Sequence, residues 1–151
     1  MEVSLRQVTK KNYEEVCELD VTNEQEDYVA CNMWSIVESK YNDGYETRAI
    51  YMKEEPVGFF MWVQESEVKV SIWRFMVDKK HQQKSIGRVS LNLALAEIKE
   101  VSGLKEILLC KVLCNLLIVV LTLTPNLSGE YILHIASDSL SSVQHWPYKS
   151  F

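Results

Sequence analysis

The short run from about Ser4 to Val8, with Leu5 and Val8 as its apolar positions, is expected to be a strand, and Thr9 then offers a helix N-cap ahead of Tyr13, Val16, Cys17 and Asp20. A second helical stretch is expected over about Glu26 to Tyr41, with Val29, Met33, Ile36 and Val37 on its apolar side, closed by the turn Asn42-Asp43-Gly44. Three β-rich runs follow: Arg48 to Met52, Val57 to Gln64 and Val68 to Val77, the first two separated by the turn Glu54-Glu55-Pro56. They read as an antiparallel meander. From Ile86 to Val101 the period changes to that of a helix, with Leu91, Leu95, Ile98 and Val101 in one stripe and Ser102-Gly103 at its end. Lys105 to Leu113 is another strand, so the Val68 strand, the helix and this strand form a β-α-β unit with parallel strands. The order of elements is that of a mixed α/β (α+β) protein, a central sheet flanked by helices. Ligands in such units favour the C-terminal ends of the strands.

With 151 residues, 47% apolar and 25% charged, the chain is expected to form a single folded domain over residues 1–151. The opening MEVSLRQVTKKNYEE has no apolar stretch behind a basic start, which argues against a secretory signal and for the cytoplasm. The longest apolar run, Leu116 to Leu121 continued by Thr122 and Leu123, is far shorter than the roughly 20 residues that cross a bilayer, and reads as a buried strand. No membrane association is expected. Cys17, Cys31, Cys110 and Cys114 contain no CxxC pair, and His81, His134 and His145 stand at no ligand spacing from them, so no metal is expected.

Net charge is -5, but its distribution says more than its size. Between Asn12 and Ser39 there are eight acids (Glu14, Glu15, Glu18, Asp20, Glu24, Glu26, Asp27 and Glu38) and no lysine or arginine. Lys79, Lys80, Lys84 and Arg88 cluster in a stretch free of acids. Either patch alone could be a solvated face. Together they suggest a cationic substrate meeting an anionic cofactor. A sequence pI of about 5.3 argues against a nucleic-acid partner.

The segment IWRFMVDKKHQQKSIGR, Ile72 to Arg88, resembles the cofactor motif of the GNAT N-acetyltransferase family, with Gln82, Ser85 and Gly87 at the motif's Gln/Arg, first Gly and Gly/Ala places. Helix-terminal N–H groups in such a turn can hold a pyrophosphate without a metal. The resemblance extends, in the spermine/spermidine (diamine) acetyltransferase subgroup, to LRQVTKKNYEEVCEL, VTNEQEDYVACNMWSI, RAIY, PVGFFMW, SIWRFMVD, LNLALAEIKE and EILLC, about residues 4 to 115. It implies the GNAT acyl-CoA N-acyltransferase fold and transfer of acetyl from acetyl-CoA to a small amine such as a polyamine. It also implies cofactor contacts at Phe75, Met76, Val77, Gln82, Gln83, Lys84, Ser85, Ile86, Gly87, Arg88 and Asn115, with an oxyanion donor among the backbone N–H groups of Phe75 to Val77. For the general base Glu24 or Glu67 is nominated, acting through water. Glu24, Gln25, Tyr28 and Trp34 are candidates for holding an ammonium by charge and cation–π contact, although Tyr28 and Trp34 serve equally well as core or homodimer contacts.

Two departures stand out. Ser85 occupies a glycine place, where a positive φ would cost about 1–2 kcal/mol. Beyond Asn115 the resemblance ends: a helix with a Phe-Tyr pair is replaced by LLIVVLTLTPNL, the family's tyrosine acid falls at about Thr122, and residues 111 to 151 hold only four charged side chains. This tail, 116–151, is either divergent or frame-shifted, or else contributes its own strands, Leu116 to Thr124 and Tyr131 to Ile135. A weakened acyl-CoA binder and an interaction module that only keeps the fold remain as alternatives to the enzyme.

Overall fold

The computed structural model describes residues 2–26, 30–109, 119–125 and 131–137. Strand β1 (Val3–Gln7) is followed by helices α1 (Tyr13–Cys17), α2 (Asn23–Glu26) and α3 (Asn32–Tyr41), then by the meander β2 (Tyr45–Met52), β3 (Glu55–Ser66) and β4 (Lys69–Val77). Helix α4 (Ile86–Lys99) leads to β5 (Glu106–Leu109), β6 (Val119–Pro125) and β7 (Tyr131–Ser137). The strands form one seven-stranded sheet in sequential order. All neighbours are antiparallel except β4 and β5, which run parallel across the α4 crossover as the β-α-β reading requires. Strands β6 and β7 fall where the tail is expected to contribute strands if it folds in its own way, about Leu116 to Thr124 and Tyr131 to Ile135. The turn before β3 falls at Lys53-Glu54 rather than Glu54-Glu55-Pro56, with Lys53 at φ 58°.

Among the described side chains, apolar ones cover both faces of the sheet at β2, β3 and β4. One layer joins Ile50, Phe60, Trp62, Val70, Ile72, Phe75 and Val77 to Ile86, Ala94, Leu95 and Ile98 of α4. Leu91 and Val101, expected in the α4 stripe, are only partly buried at its margin. The other layer joins Ala49, Tyr51, Phe59, Met61 and Met76 to Val16 and Val21, beneath the short helices. A bulge makes both possible: Met61 pairs with Arg74 and Trp62 with Ile72, so Trp73 is an extra residue in β4. Ile72 and Phe75, three positions apart, therefore share a layer.

Two expectations for the first third are corrected. Thr9 does not cap α1; it opens a turn in which the N–H groups of Asn12 and Tyr13 donate to its carbonyl (3.2 and 3.0 Å), and Asn12 is the N-cap residue. The Asn12 side chain is spent on this turn, accepting from Thr9 N–H at 2.8 Å and donating to the Gln7 carbonyl at 3.1 Å. Helix α3 is shorter than 26–41 and faces the other way. Met33 and Val37 are exposed, as is Trp34, whereas Asn32 and Ser35 are buried and Ile36 is half-buried; Val29 lies outside the described residues. The inward polar groups are satisfied locally: Asn32 Nδ2 donates to the Val16 carbonyl at 2.8 Å and Ser35 Oγ to the Cys31 carbonyl at 3.2 Å. That satisfaction removes the desolvation cost that period-counting assumes for polar residues. Among the described residues no helix is long and apolar enough to cross a membrane.

Candidate functional site

The loop from Asp78 to Ser85 joins β4 to α4, and three local features shape it. Asp78, 4% exposed, accepts from Lys80 N–H at 2.9 Å through one carboxylate oxygen and from Asp20 N–H at 3.0 Å through the other. Gln83 and Ser85 take positive φ (63° and 60°), folding the chain tightly before α4. Ile86, 1% exposed, seats the first turn of α4 in the core, and full burial of such a side chain contributes about 1.5–3 kcal/mol. The first helical N–H with an acceptor in its own turn is that of Val89, donating to Ser85 O at 3.2 Å. The N–H groups of Ile86, Gly87 and Arg88 precede it and form the positive end of a 14-residue helix. A Cβ at Gly87 would meet only a Val77 methyl at an ordinary 3.7 Å, in keeping with a place that takes Gly or Ala. Lys84 and Arg88 are exposed beside this turn.

Ser85 therefore occupies the glycine place with glycine's conformation, left-handed at φ 60°, ψ 5°. Its strain is of the order of 1–2 kcal/mol, whereas a glycine would give back about 0.4–1 kcal/mol through the freer unfolded chain. Ser85→Gly is accordingly expected to stabilise the fold by about 0.5–1 kcal/mol, read as a rise in the denaturant midpoint. A fall would mean that the unfolded-chain term is the larger.

Among the described residues, strand β4 has an open edge beyond its bulge. Pairing of β4 with β5 runs from Lys69↔Glu106 to Ile72↔Leu109, and beyond the Trp73 bulge β4 pairs, among the described residues, only with β3. Since Asp78 N–H donates to the Val57 carbonyl of the β3 side at 2.9 Å, alternation along a strand turns the N–H and C=O groups of Val77 and Phe75 to the open side. The Val77 carbonyl is taken by Gln82 Nε2 at 2.9 Å. The side chains of Phe75 and Val77 belong to the α4 layer, and that of Met76 to the opposite one.

On the Met76 side lies a cavity of about 390 Å³ lined by Cys17, Glu18, Leu19, Asp20, Val21, Glu26, Ala30, Cys31, Asn32 and Met76. Three carboxylates line it, at the C-terminal end of β4. The Lys79 ammonium, 2.7 Å from Asp20 Oδ2, holds the Asp20 carboxyl below the usual carboxylate range, helped by the Val21 N–H. Burial raises the Cys17 thiol.

The structure gathers some of the nominated residues and separates others. Gln25 and Gln82 meet: Gln82 Nε2 donates to Gln25 Oε1 at 2.9 Å, so both side chains brace the loop. Glu24 is exposed on α2 next to the cavity-lining Glu26. Glu67 is not brought to this loop: it sits in the turn between β3 and β4, at the opposite end of the nine-residue β4, some 25 Å away at about 3.3 Å per residue. Trp34, 55% exposed on the outer side of α3, is likewise no part of the cavity wall. Tyr28 and Asn115 lie outside the described residues, as do Cys110 and Cys114. The aligned place of the missing tyrosine, Thr122, is in strand β6, paired with Glu106. Glu18, Asp20, Glu26 and Asp78 were not nominated. The acid-rich, base-free stretch held the first three, and WRFMVD the fourth, but neither pattern says which carboxylates converge. Among the described residues no group of three His, Cys, Asp or Glu could hold a metal ion.

The profile of the acetyltransferase (GNAT) family matches residues 12–116. The spermine/spermidine N(1)-acetyltransferase of Bacillus subtilis (strain 168) is 24% identical over 116 residues, which cover 72% of this chain and 76% of that protein. Among solved structures, a spermidine N-acetyltransferase chimera from Vibrio cholerae superposes with TM-score 0.56 at 15% identity, over 72% of this chain and 69% of that one. An N-acetyltransferase from Thermoplasma acidophilum in complex with coenzyme A superposes with TM-score 0.51 at 16% identity, over 88% and 98% of the two chains. At these identities the superpositions speak for the fold.

Proposed function

The chain belongs to the acetyltransferase (GNAT) family and is an acetyl-CoA-dependent N-acetyltransferase, and from that premise we propose that its acceptor is a small polycationic amine, a polyamine such as spermidine or spermine. The observation that carries this reading is the cavity beside Met76, whose described lining includes Glu18, Asp20 and Glu26 and no lysine or arginine, with Lys79 pairing Asp20 from outside that lining. A carboxylate-lined wall concentrates ammonium groups and disfavours anionic acceptors. The sequence likeness to spermine and spermidine acetyltransferases is distant, at about a quarter identity, but points the same way.

The cofactor supplies an acetyl thioester. Its pyrophosphate fits the N–H groups at Ile86, Gly87 and Arg88, with Lys84 and Arg88 as the neighbouring cations and no acid in the loop after Asp78. Its amide-bearing arm fits the open edge of β4, where the Phe75 and Val77 N–H groups are available to an oxyanion. The amine must lose a proton before its lone pair can form the C–N bond as the C–S bond breaks. Glu26 on the cavity wall, or Glu24 beside it, is placed to take that proton through water. The Gln82 side chain braces the loop, the Ile86 side chain seats it in the core, and the backbone of Gln83 and Ser85 turns it.

The test is mass-spectrometric detection of acetylated product after incubation with acetyl-CoA and a panel of spermidine, spermine, diamines, aminoglycosides and an N-terminal peptide. Acetylated polyamine formed at enzyme-dependent rates is the expected result. Product only from the aminoglycosides or the peptide would overturn the polyamine acceptor. Coenzyme A binding without any product would favour a weakened binder instead, a reading that the strained Ser85 supports.

A further inference from the structure

The two halves of the site are fastened to each other. Asp20, which lines the amine cavity, and Gln25 lie on the chain between α1 and the end of α2; Asp78 to Gln82 lie on the cofactor loop. Four links cross between them. Asp20 N–H donates to Asp78 Oδ2 at 3.0 Å, Lys79 N–H donates to the Asp20 carbonyl at 2.8 Å, Lys79 Nζ donates to Asp20 Oδ2 at 2.7 Å, and Gln82 Nε2 donates to Gln25 Oε1 at 2.9 Å. The Lys79–Asp20 ion pair is half-exposed on both sides and thus weakened by solvent. The Asp78 carboxylate is buried, where a hydrogen bond to a carboxylate is stronger and its loss is felt more. One oxygen serves the cofactor loop through Lys80 N–H and the other serves the acceptor segment through Asp20 N–H.

We propose that Asp78 is a positioning residue that couples the two binding sites, so that ordering of the loop by the cofactor also orders the segment from Leu19 to Glu26 that forms the amine cavity. The inference rests on the cofactor and acceptor sites proposed above. Anything that favours one arrangement of the loop then favours one arrangement of the cavity wall, and by linkage the amine favours cofactor binding to the same extent.

The discriminating variant is Asp78→Asn. Its single carbonyl oxygen can still accept from Lys80 N–H, while its NH2 faces the Asp20 N–H, donor against donor, so the buried link to the acceptor segment is lost, the other three links remain and the loop is kept. Hydrogen exchange is measured with and without coenzyme A on the full chain. In the parent protein coenzyme A is expected to slow exchange both in residues 79–88 and in residues 19–26, the latter by about tenfold. In the variant, protection of 79–88 remains and that of 19–26 falls to about twofold or less. With spermidine as acceptor the same variant is expected to raise KM about tenfold with a smaller change in kcat.

Protection of 19–26 that persists in the variant would overturn the coupling role. So would equal loss of protection in both segments, which would make Asp78 only a loop-folding residue. A parent protein that binds coenzyme A without protecting 19–26 would overturn the coupling alone, whereas one that fails to bind coenzyme A would overturn the site assignment beneath it.

Discussion

A chain carrying Lys84→Glu together with Arg88→Glu binds coenzyme A about 100-fold more weakly than the parent, or worse, yet unfolds within a few degrees of it. Both side chains are exposed, and among the described residues Arg88 has no partner whose loss would disturb the core; the Lys84 ammonium donates to the Lys80 carbonyl at 3.2 Å, a bond at the surface. Hydrogen bonds to a charged group are worth about 1.5–3 kcal/mol each, so losing two accounts for the factor before any repulsion is added. Repulsion from the new carboxylates is screened, so the deficit should shrink as salt is raised towards 1 M. Isothermal titration at two salt concentrations reads both effects. Unchanged affinity at low salt would remove the phosphates from this loop. Lys79 is the wrong residue for the experiment, because its ammonium already belongs to Asp20.

Gly58→Ala is expected to lower stability by about 3 kcal/mol. Gly58 lies in β3 opposite Val77, and a Cβ there would stand 2.5 Å from the Met76 carbonyl oxygen and 3.0 Å from Ile50 Cδ1. The first contact is with backbone, which cannot swing aside as a side chain can, so β3 and β4 must separate locally. For a chain of this length the melting temperature should fall by about 10 °C, a large share of a typical total of about 5–15 kcal/mol. A shift below about 1 kcal/mol would show that the sheet yields at little cost. Because the displaced atoms carry Val77, the same variant should also bind coenzyme A less tightly than its residual stability suggests.

Much of this was legible beforehand. The β2–β3–β4 meander, the α4 crossover and the parallel β4–β5 pair each follow from one kind of period sustained long enough to be unambiguous. The positive φ at Ser85 followed from its occupying a glycine place. What escaped notice depends on contacts between residues far apart in the chain. Asn32 and Ser35 look solvent-facing by type, and only the Val16 and Cys31 carbonyls explain their burial. Asp78 looks like a loop acid until the Asp20 N–H is found on it. Glu67 was nominated because no acid lies within the Val68 to Val77 strand, but a strand has two ends and Glu67 stands at the one away from the Asp78 loop. The acidic stretch predicted the sign of the potential over the cavity without saying that Glu18, Asp20 and Glu26, rather than Glu14 or Glu15, would line it.

The extra residue at Trp73 gives β4 two phases. Before it, Val70 and Ile72 supply the α4 layer; after it, Phe75 and Val77 do, and Arg74 and Met76 are turned towards the short helices. There the Arg74 guanidinium, 6% exposed, lies 3.7 Å from the Glu38 carboxylate of α3. Were Trp73 instead paired in strict alternation, with no bulge, the composition of the strand would be unchanged, yet the half of the pattern after it would be exchanged. The guanidinium would enter the apolar layer beneath α4 and Phe75 would point into the acceptor side. The facing of Arg74 to Val77 thus depends on Trp73 being accommodated as an extra residue, so a relative one residue shorter here is best aligned with its gap at Trp73.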